Sequence, residues 1–585
     1  MWQGAGVDAA SLLDRATPGP LVGLVVAPDG AVAIATGDGV AVIEPPNAFE
    51  TVARADRETG PRWVIWSQST ASALVAEGVR LARAWDLVAV HRLLFGGWES
   101  DPGSLWARAQ DLPTDRLPVD RAPNLFDQPD PAEDASALAV TEAGYLRAEW
   151  VGGAWAESSE RIAEWARLAL DLARRQLTLI DRLPNPTRAL ATARAESAVE
   201  LLCAELAVDG LPLDRTIATS IIEAAAGPRP RDEAHAVAIR AARDEAVLRH
   251  APPGSHFDLR SPAQVKSLLR RVGIEVADTR AWRLEALRED SPLVDALLVW
   301  RKAERMATTY GYGWLDEHVG SDGRLRGAWS GADGAAGRMT ATAGLHNLPA
   351  ELRPAVVAVP GHVFVRADLG QIEPRVLAAV SGDPALIAST AADDMYVPVA
   401  RDLGVDRATA KVAMLGAMYG QTTGRGAQAL RGLQRSYPVA MEYLESSDRA
   451  AQVGTDLRTF GGRLVRMGVA NANATSERVL RSHAAARGRF GRNAMVQGAA
   501  AELFKQWAVT VRARGELLDA RVVLCLHDEL LVHVPDANAE AAAAMVTECL
   551  QEVAHRWAPH QAAGGPSVRF TAEISTIGCW ADAKG

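Results

Sequence analysis

The chain has 585 residues, of which 48% are hydrophobic and 23% are charged. This composition is ordinary for globular proteins and excludes a disordered, collagenous or disulfide-scaffold protein. Acidic residues outnumber basic residues by 72 to 62, which gives a formal net charge of −10. A nucleic-acid-binding protein of this charge must concentrate its positive residues locally. The length predicts about four folding units.

The cysteines and the N-terminal segment indicate the compartment. The four cysteines form no CxxC pair and no zinc spacing, so we expect a reducing compartment and no structural disulfide. The N-terminal segment lacks the basic start and apolar core of a signal peptide. No uncharged apolar run reaches membrane-spanning length. These features predict a soluble, cytoplasmic protein.

Strand signals come first along the chain. Apolar runs broken by Pro, Asp and Gly predict a meander of strands over residues 20–45. Residues 63–66 predict a further strand, and Ala-rich helical segments follow. We therefore expect a small α/β domain that ends near residue 185. A mostly helical region over 187–315 follows, with mixed strands and helices from residue 324.

Residues 362–383 contain the first chemical motif. Apolar residues alternate along 363–367, as on a strand with one buried face. Asp368 stands where the alternation ends, and Glu373 and Pro374 then open a helix. Taken alone, this pattern is also typical of an ordinary loop acid, and that alternative stays open.

Residues 521–535 contain the second motif. Two apolar runs flank His527, Asp528 and Glu529, which predicts a hairpin with acids at its tip. Because the flanking runs are apolar on both faces, they indicate burial. Buried carboxylates are costly unless a cation or hydrogen bonds compensate them, and a divalent metal would do so. The alternative is an exposed polar turn.

The third motif is a helix predicted over residues 406–420. Arg407, Lys411, Leu415 and Tyr419 recur every four residues and share one face. Neither cation has an acid three or four positions away. An unpaired pair of cations indicates a missing anion such as a polyphosphate. The alternative is a solvated basic face.

Together the three motifs predict a phosphoryl-type transfer. Two carboxylates on strands can hold two Mg²⁺ ions, while a cationic helix holds a triphosphate. Lys411 could protonate departing pyrophosphate, because a Lys pKa can shift whereas an Arg pKa cannot. Only five of the 62 basic residues are Lys, which makes its presence on this helix informative.

These segments resemble family A DNA polymerases of the DNA polymerase I type. DLGQIEPRVLA resembles motif A of the family, RATAKVAMLGAMYG resembles motif B, and HDE resembles motif C. The match covers roughly residues 190–585 and resembles the large fragment without a 5′ nuclease. Three flanking segments resemble further family signatures: 256–269 (thumb), 337–349 (template contact) and 487–502 (an Arg, Asn and Gln at four-residue steps).

The resemblance implies a multidomain protein of α/β and α+β class. An RNase H-like, 3′–5′ exonuclease-type domain would occupy residues 1–185, and a right-hand polymerase domain residues 186–585. The implied subdomains are a thumb over about 190–335, a palm with an antiparallel sheet over 336–395 and 480–585, and helical fingers over 396–479.

The implied activity is template-directed DNA synthesis. Deoxynucleotides would be added to a primer 3′ end by two-metal-ion nucleotidyl transfer, in DNA replication or repair. The implied cofactor is a pair of Mg²⁺ ions, with Mn²⁺ as a substitute, and the partners are primer–template DNA and deoxynucleoside triphosphates. We expect a nucleoid-associated monomer. Two alternatives stay open: a 3′–5′ exonuclease, and a DNA-binding polymerase-like protein with weak catalysis.

The resemblance also assigns catalytic roles. Asp368 and Asp528 would be the metal ligands, together with the backbone carbonyl of Leu369. Glu529 would be an accessory catalytic acid. Glu373 would be a steric gate that crowds the sugar 2′ position and excludes ribonucleotides.

Nucleotide and DNA contacts follow in the same way. Arg407 and Lys411 would grip the triphosphate, and His527 would lie by the primer terminus. Further implied nucleotide contacts are Gln371, Tyr396, Leu415 and Tyr419. Further implied DNA contacts are Arg338, Asn347, Arg489, Asn493 and Gln497.

The charge pattern supports a DNA groove from the residues themselves. Residues 478–492 carry five arginines and no acid, and such a patch neutralises phosphates without sequence preference. Solvated helix faces are the alternative. The five are Arg478, Arg481, Arg487, Arg489 and Arg492.

Some positions depart from the family pattern. Leu415 stands where the family usually has an aromatic residue that stacks on the incoming nucleotide, so we expect weaker stacking. Tyr396 replaces a usual His near the phosphates. In the N-terminal domain, the strand at residues 21–27 lacks an acid-x-acid signature, and Ser159 lies near the expected position of a final Asp. We therefore predict a structural, proofreading-deficient domain.

Overall fold

The computed structural model describes residues 19–119, 138–254, 256–420, 426–468, 476–557 and 567–583. The chain divides into two compact units. The first comprises Met1–Asp209, Ala328–Thr340 and Gly361–Thr576, and the second comprises Gly210–Gly327, Ala341–Pro360 and Ile577–Gly585. None of the described helices is both long and apolar enough to cross a membrane. The domain boundaries expected from the sequence stay predictions.

A five-stranded sheet opens the first unit, in the order β3-β2-β1-β4-β5. β1 pairs antiparallel with β2 and parallel with β4, and β4 pairs parallel with β5. The strands expected over residues 20–45 and 63–66 are confirmed. The bounds are Leu21–Val26 (β1), Val32–Ala35 (β2), Val40–Ile43 (β3), Arg62–Ile65 (β4) and Ala84–Asp86 (β5).

Helices cover this sheet closely. A Cβ at Gly23 of β1 would lie 2.3 Å from the carbonyl oxygen of Ala166, so only glycine allows the helix backbone this close to the strand. Asp86 at the end of β5 caps the next helix by accepting a hydrogen bond from the Ala89 N–H at 2.8 Å. The helices are Ala48–Thr59 (α1), Gln68–Ala76 (α2), Leu87–Phe95 (α3), Pro102–Ala109 (α4), Ala148–Val151 (α5), Ser159–Ile180 (α6) and Pro186–Asp209 (α7).

A second sheet of the first unit has the order β13-β14-β10-β15. β14 pairs antiparallel with both β13 and β10. Its residues alternate little in burial, because both faces of β14 are covered. The bounds are His362–Leu369 (β10), Arg521–Cys525 (β13), Glu529–Pro535 (β14) and Ala572–Ile577 (β15). Two smaller sheets pair Trp329–Asp333 (β8) with Arg338–Ala341 (β9), and Leu457–Arg458 (β11) with Leu464–Val465 (β12).

Of the remaining helices of the first unit, the two that lie nearest the C-terminus pack against that second sheet. The longest is α20, a 39-residue helix whose middle is buried. A hydrophobic core of Ala and Met side chains lies under the helix of the third motif. The bounds are Ile372–Ser381 (α14), Pro384–Ser389 (α15), Tyr396–Leu403 (α16), Arg407–Tyr419 (α17), Gly426–Ser436 (α18), Pro438–Gln452 (α19), Glu477–Gly515 (α20) and Ala539–Trp557 (α21).

The second unit is mainly helical. Side chains of Asp214, Asp232, Ser261 and Ser291 cap four of its helices by accepting backbone N–H hydrogen bonds. Its core is built from Leu, Val and Trp side chains of residues 247–300. The bounds are Arg215–Ala226 (α8), Glu233–Leu248 (α9), Pro262–Arg271 (α10), Ala281–Glu285 (α11), Pro292–Thr309 (α12), Tyr312–His318 (α13), Leu211–Pro212 (β6) and Arg324–Leu325 (β7).

Candidate active site

The second sheet brings two distant carboxylates together. In the register of β10 and β14, Asp368 lies opposite Glu529. The backbone N–H of Leu369 donates to the carbonyl oxygen of Asp528 at 2.7 Å. The predicted hairpin is confirmed, since β13 and β14 are joined by a tip that contains His527 and Asp528. The two predicted metal ligands are therefore backbone neighbours despite 160 residues of separation along the chain.

Negative charge is crowded at this point. Partial burial, and then the nearby charge of Asp528, raises the pKa of Asp368 to about 6. Desolvation by the surrounding protein, and then the charge of Glu529, raises the pKa of Asp528. A site that disfavours its own carboxylate charges gains from a bound cation. The side chain of Asp368 is 35% exposed, so such a cation can reach it from solvent.

The buried acid of this cluster is compensated by an arginine. Sequence reasoning required a cation or hydrogen bonds to compensate the buried carboxylates here, and for Glu529 the cation is Arg366. The Nε of Arg366 lies 2.7 Å from Glu529 Oε1, and its Nη2 lies 2.7 Å from Asp368 Oδ2. Both Arg366 and Glu529 are buried. Sequence reasoning missed Arg366, although its position two residues before Asp368 on a strand places both on one face.

The carboxylates of Asp368 and Asp528 suit a hard cation that keeps part of its hydration shell. Among the described residues, no three His, Cys, Asp or Glu side chains lie close enough to hold a metal. Two carboxylates leave most coordination positions to water and substrate phosphates, which is the way that Mg²⁺ is usually bound. The residues present therefore fit Mg²⁺ better than a metal that needs a complete protein cage.

The expected gate residue is held on two sides. Glu373 on α14 accepts a hydrogen bond from Arg338 Nη2 through Oε1 at 2.8 Å. Its Oε2 accepts one from the Tyr419 hydroxyl at 2.8 Å. Partial burial, and then the bond to Glu373, raises the pKa of the Tyr419 phenol, while the nearby Gln497 of α20 lowers it. Three residues predicted from separate motifs, Arg338, Glu373 and Tyr419, thus form one hydrogen-bonded group.

The helix α17 carries the predicted cationic face. Asp406 caps it by accepting the Thr409 N–H at 2.9 Å. Lys411 is exposed and has no ion-pair partner among the described residues. Arg407, however, pairs with Asp394, so the expectation that both cations lack an acid is wrong for Arg407. Asp394 is thirteen residues from Arg407 along the chain, well beyond the three or four residues that separate neighbours on one helix face.

Asp394 organises a cluster beside the gate. Its Oδ1 accepts a hydrogen bond from Gln371 Nε2 at 2.9 Å. Gln371 adopts a left-handed backbone conformation, with φ of 56°, and its Oε1 accepts the Met395 N–H at 2.9 Å. The Arg407 guanidinium lies 5.9 Å from the ring centre of Tyr396. Tyr396 is buried, and this burial is the main reason that its pKa is raised to about 12. Its phenol is therefore neutral at physiological pH.

Leu415 lies on the same face of α17 as Lys411. It is half-buried and packs against the Ala and Met core below. An aliphatic side chain at this position offers a surface to a ligand without an aromatic ring. The aromatic side chain on this face of α17 is that of Tyr419, four residues further along the helix.

The residues predicted to face DNA lie in a row on α20. Arg489 is exposed, and Asn493 and Gln497 are half-buried at successive four-residue steps. Two other arginines of the predicted patch serve the fold instead. Arg487 donates to the Gln452 carbonyl at 2.8 Å, and Arg492 donates to the Ala417 carbonyl at 3.0 Å.

The outer arginines and His527 complete this group. Arg478 and Arg481 are exposed, and Arg481 lies 3.7 Å from Glu477. Burial, and then the charge of Arg338, lowers the pKa of His527. Asn347 belongs to the second compact unit, where its carbonyl oxygen accepts from the Tyr310 hydroxyl at 2.6 Å.

Comparisons with known proteins identify relatives of this chain. Residues 234–581 match the family described as DNA polymerase family A. The thermostable DNA polymerase I of Thermus thermophilus is 31% identical over 352 residues, covering 53% of this chain and 41% of the relative. DNA polymerase I of Deinococcus radiodurans is 27% identical over 379 residues, covering 57% of this chain and 37% of the relative. The chain thus spans about two fifths of the length of these curated relatives.

A solved structure shares the fold. It is the POL domain of Pol1 from M. smegmatis in complex with DNA primer-template and dNTP, with a TM-score of 0.66, 21% identity and 99% of each chain covered. The family match covers more than half of this chain and includes every candidate site residue named above. The chain is therefore a member of DNA polymerase family A.

Proposed function

We propose that the chain is a template-directed DNA polymerase that adds deoxynucleotides to a primer 3′ end. The observation that carries this function is the meeting of Asp368 and Asp528 at adjoining ends of β10 and the hairpin. The family membership supports it, since the curated relatives are DNA polymerases I. The complex of the Pol1 domain with primer-template and dNTP supports the same partners.

The two aspartates, with the Leu369 carbonyl, would hold a pair of Mg²⁺ ions, or Mn²⁺ in their place. When bound, such ions lower the pKa of an attacking hydroxyl and stabilise the charge of the leaving group. The protein's own contribution is positioning. The β10–β14 register fixes the two acids, and the bond of Arg366 to Glu529 keeps that buried acid from repelling its neighbours unopposed.

Lys411 and Arg407 would bind the triphosphate. Lys411 is the exposed cation of α17 without an acidic partner in the described residues, so it can donate all its N–H groups to phosphate and pass a proton to departing pyrophosphate. Arg407 would share its guanidinium between Asp394 and the ligand. Gln371 would support this pair rather than touch phosphate, because Asp394 and Met395 already bind Gln371. Tyr396 would support Arg407, whose guanidinium lies 5.9 Å from the centre of its ring.

Glu373 would exclude ribonucleotides. Two hydrogen bonds fix its carboxylate between Arg338 and Tyr419, so the side chain cannot turn aside for a 2′-hydroxyl without losing one of them. Leu415 and Tyr419 would border the base pair that forms. The row of Arg489, Asn493 and Gln497 would face primer–template DNA, with Asn347 adding a contact and His527 near the primer end.

The N-terminal domain would be exonuclease-like in fold and without proofreading activity. All six residues of β1 are uncharged, and Asp29 after this strand serves a turn by accepting the Ala31 N–H at 3.0 Å. Ser159 begins α6 and donates to Glu44 at 3.2 Å. Trp66, which follows β4, stacks on Trp165 with ring centres 4.2 Å apart. A two-metal site needs carboxylates, and this strand end presents aromatic rings instead.

Primer extension with Mg²⁺ and deoxynucleotides tests the function. The parent protein should extend a primer to the end of the template, and Asp528→Asn should abolish the full-length product. Glu540→Gln, an equally conservative change at an exposed acid of α21, is the matched control and should extend normally. Shortened primer would favour an exonuclease. A retarded DNA band without either product would favour a binding protein with weak catalysis.

A further inference from the structure

A large cleft of the first unit is lined by arginines. It has a volume of about 880 Å³ and lies between α7, the C-terminal part of α20, the end of α21 and the β4–β5 edge. Among the described lining residues, seven are Arg and one, Glu552, is acidic. This concentration of positive charge contrasts with the net charge of −10 for the whole chain. We call it the arginine cleft.

Three of the seven arginines are already paired. Arg512 forms two hydrogen bonds with the Glu205 carboxylate, at 2.6 and 2.8 Å. Arg514 lies 3.6 Å from Glu552, and Arg556 lies 3.1 Å from the same residue. These three guanidinium groups serve the fold and leave little charge for a ligand.

The other four have no acid within ion-pair distance among the described residues. They are Arg62, Arg83, Arg188 and Arg194. Arg62 donates to the Ala84 carbonyl at 3.1 Å, and the Arg188 guanidinium lies 3.5 Å from the ring centre of Phe460. Neither interaction neutralises a positive charge. Arg83 and Arg194 are exposed at the same cleft.

Two of these unpaired cations are partly withdrawn from water. Burial, and then repulsion from Arg194 and Arg83, lowers the pKa of Arg62 to about 10. Burial also lowers the pKa of Arg188. A half-buried charge without a counter-ion is unfavourable. The desolvation of these guanidinium groups therefore destabilises the folded protein, and a bound anion would offset that destabilisation.

The remaining lining sets the kind of anion. Guanidinium forks match phosphate oxygens, with two N–H donors for each group. Cavities of roughly 300–1,000 Å³ hold ligands of nucleotide size. Asn185, Thr187 and Thr510 add polar groups, while Ala and Val side chains of α7 and α20 form an apolar wall.

We propose that the arginine cleft is a binding site for a polyphosphate anion of nucleotide size, separate from the site around Asp368 and Asp528. The polyphosphate is either carried by a nucleoside or inorganic. No residue of the cleft is among the site residues assigned to DNA synthesis. The inference goes beyond the proposed polymerase activity and does not depend on it.

Isothermal titration calorimetry with dATP tests the site. The background is Lys411→Ala/Asp528→Asn with EDTA, which silences nucleotide binding at the proposed active site. We expect one dATP bound per chain, and at least a roughly tenfold loss of affinity in Arg62→Gln/Arg188→Gln. The matched control is Arg57→Gln/Arg182→Gln, which removes the same charge from exposed arginines outside the cleft and should leave binding unchanged.

Further ligands distinguish the sources of the anion. Tight inorganic triphosphate with weaker dATP assigns the site to a bare polyphosphate, the reverse assigns it to a nucleotide, and deoxyadenosine should not bind. If Arg62→Gln/Arg188→Gln does not fold, Arg194→Glu at an exposed position serves as a second test. It should also weaken dATP binding. The proposal is overturned if dATP and triphosphate fail to bind, if the substitutions leave their affinity unchanged, or if only single-stranded oligo-dT binds.

Discussion

Arg366 and Asp368 form an ion pair along a single strand, with 2.7 Å between Nη2 and Oδ2. Side chains two residues apart on a strand share a face, and Glu529 lies directly opposite Asp368 on the partner strand. One buried guanidinium therefore joins the candidate metal ligand to the buried acid behind it. The site has a resident positive charge before any metal binds.

Removal of that charge should destabilise the fold. Arg366→Met removes the buried cation that pairs with Glu529, and breaking such a pair costs about 3–5 kcal/mol in the free energy of unfolding. Urea unfolding at pH 7 measures the change. The double variant Arg366→Met/Glu529→Gln should recover most of the loss, because no uncompensated charge remains. An unchanged unfolding midpoint for Arg366→Met would contradict the pairing.

Glu373→Ala should relax sugar selection. The gap left by the carboxylate admits a 2′-hydroxyl, so ribonucleotide incorporation relative to deoxynucleotide should rise by about tenfold or more. Single-nucleotide incorporation with matched triphosphates measures the ratio. Tyr419→Phe removes one of the two hydrogen bonds at 2.8 Å that hold Glu373 and should give a smaller rise. Unaltered selectivity in Glu373→Ala would refute the gate.

Leu415→Phe should strengthen nucleotide binding. A ring at this half-buried position on α17 can stack on a base, which is worth roughly 1–3 kcal/mol. The KM for incoming deoxynucleotides should therefore fall by about fivefold or more, and use of dideoxynucleotides should change with it. Leu415→Met changes the shape of the side chain at nearly constant volume and without a ring, and it is the control. An equal effect of Met and Phe would show that stacking is not the cause.

Glu502 predicts a pH dependence of stability. It is buried on α20 and accepts hydrogen bonds from the Thr459 hydroxyl and from the Gly461 N–H at 2.7 Å. Burial raises its pKa from 4.5 to about 7, so the folded state holds this proton more tightly than the unfolded chain. The resulting stabilisation is complete below pH 4.5 and is lost as the pH rises through about 7.

Glu502→Gln should flatten this dependence. The Glu502 carboxyl should contribute a loss of up to about 1.4 kcal/mol per pH unit between these two pKa values, because there it holds one more proton in the folded state than in the unfolded chain. Chemical denaturation across that interval measures the slope, with the exposed acid variant Glu540→Gln as the control. Equal slopes for the parent and Glu502→Gln would rule out this carboxyl as the titrating group.

The positions of the catalytic acids could be predicted from the sequence, but the partners of the charged groups could not. Alternating apolar residues were enough to place Asp368 at a strand end and Asp528 at a hairpin tip, since strand periodicity is a local property. Arg366 and Asp394 were not predicted as partners, because the contacts that define them depend on strand register and on chain folding over longer distances. The same limit applies to the arginine cleft, whose lining comes from five separate segments of the chain.

The length of α20 has a mechanical consequence. At 1.5 Å per residue, its 39 residues reach roughly 58 Å, with Arg489 in its first half, Gln497 at its middle, and Arg512 and Arg514 at its end. A continuous helix moves as one rigid element, so a displacement of its C-terminal end is transmitted to the part that carries Arg489 and Gln497. If occupancy at one end tilts it, the thermodynamic effect must run equally in the opposite direction.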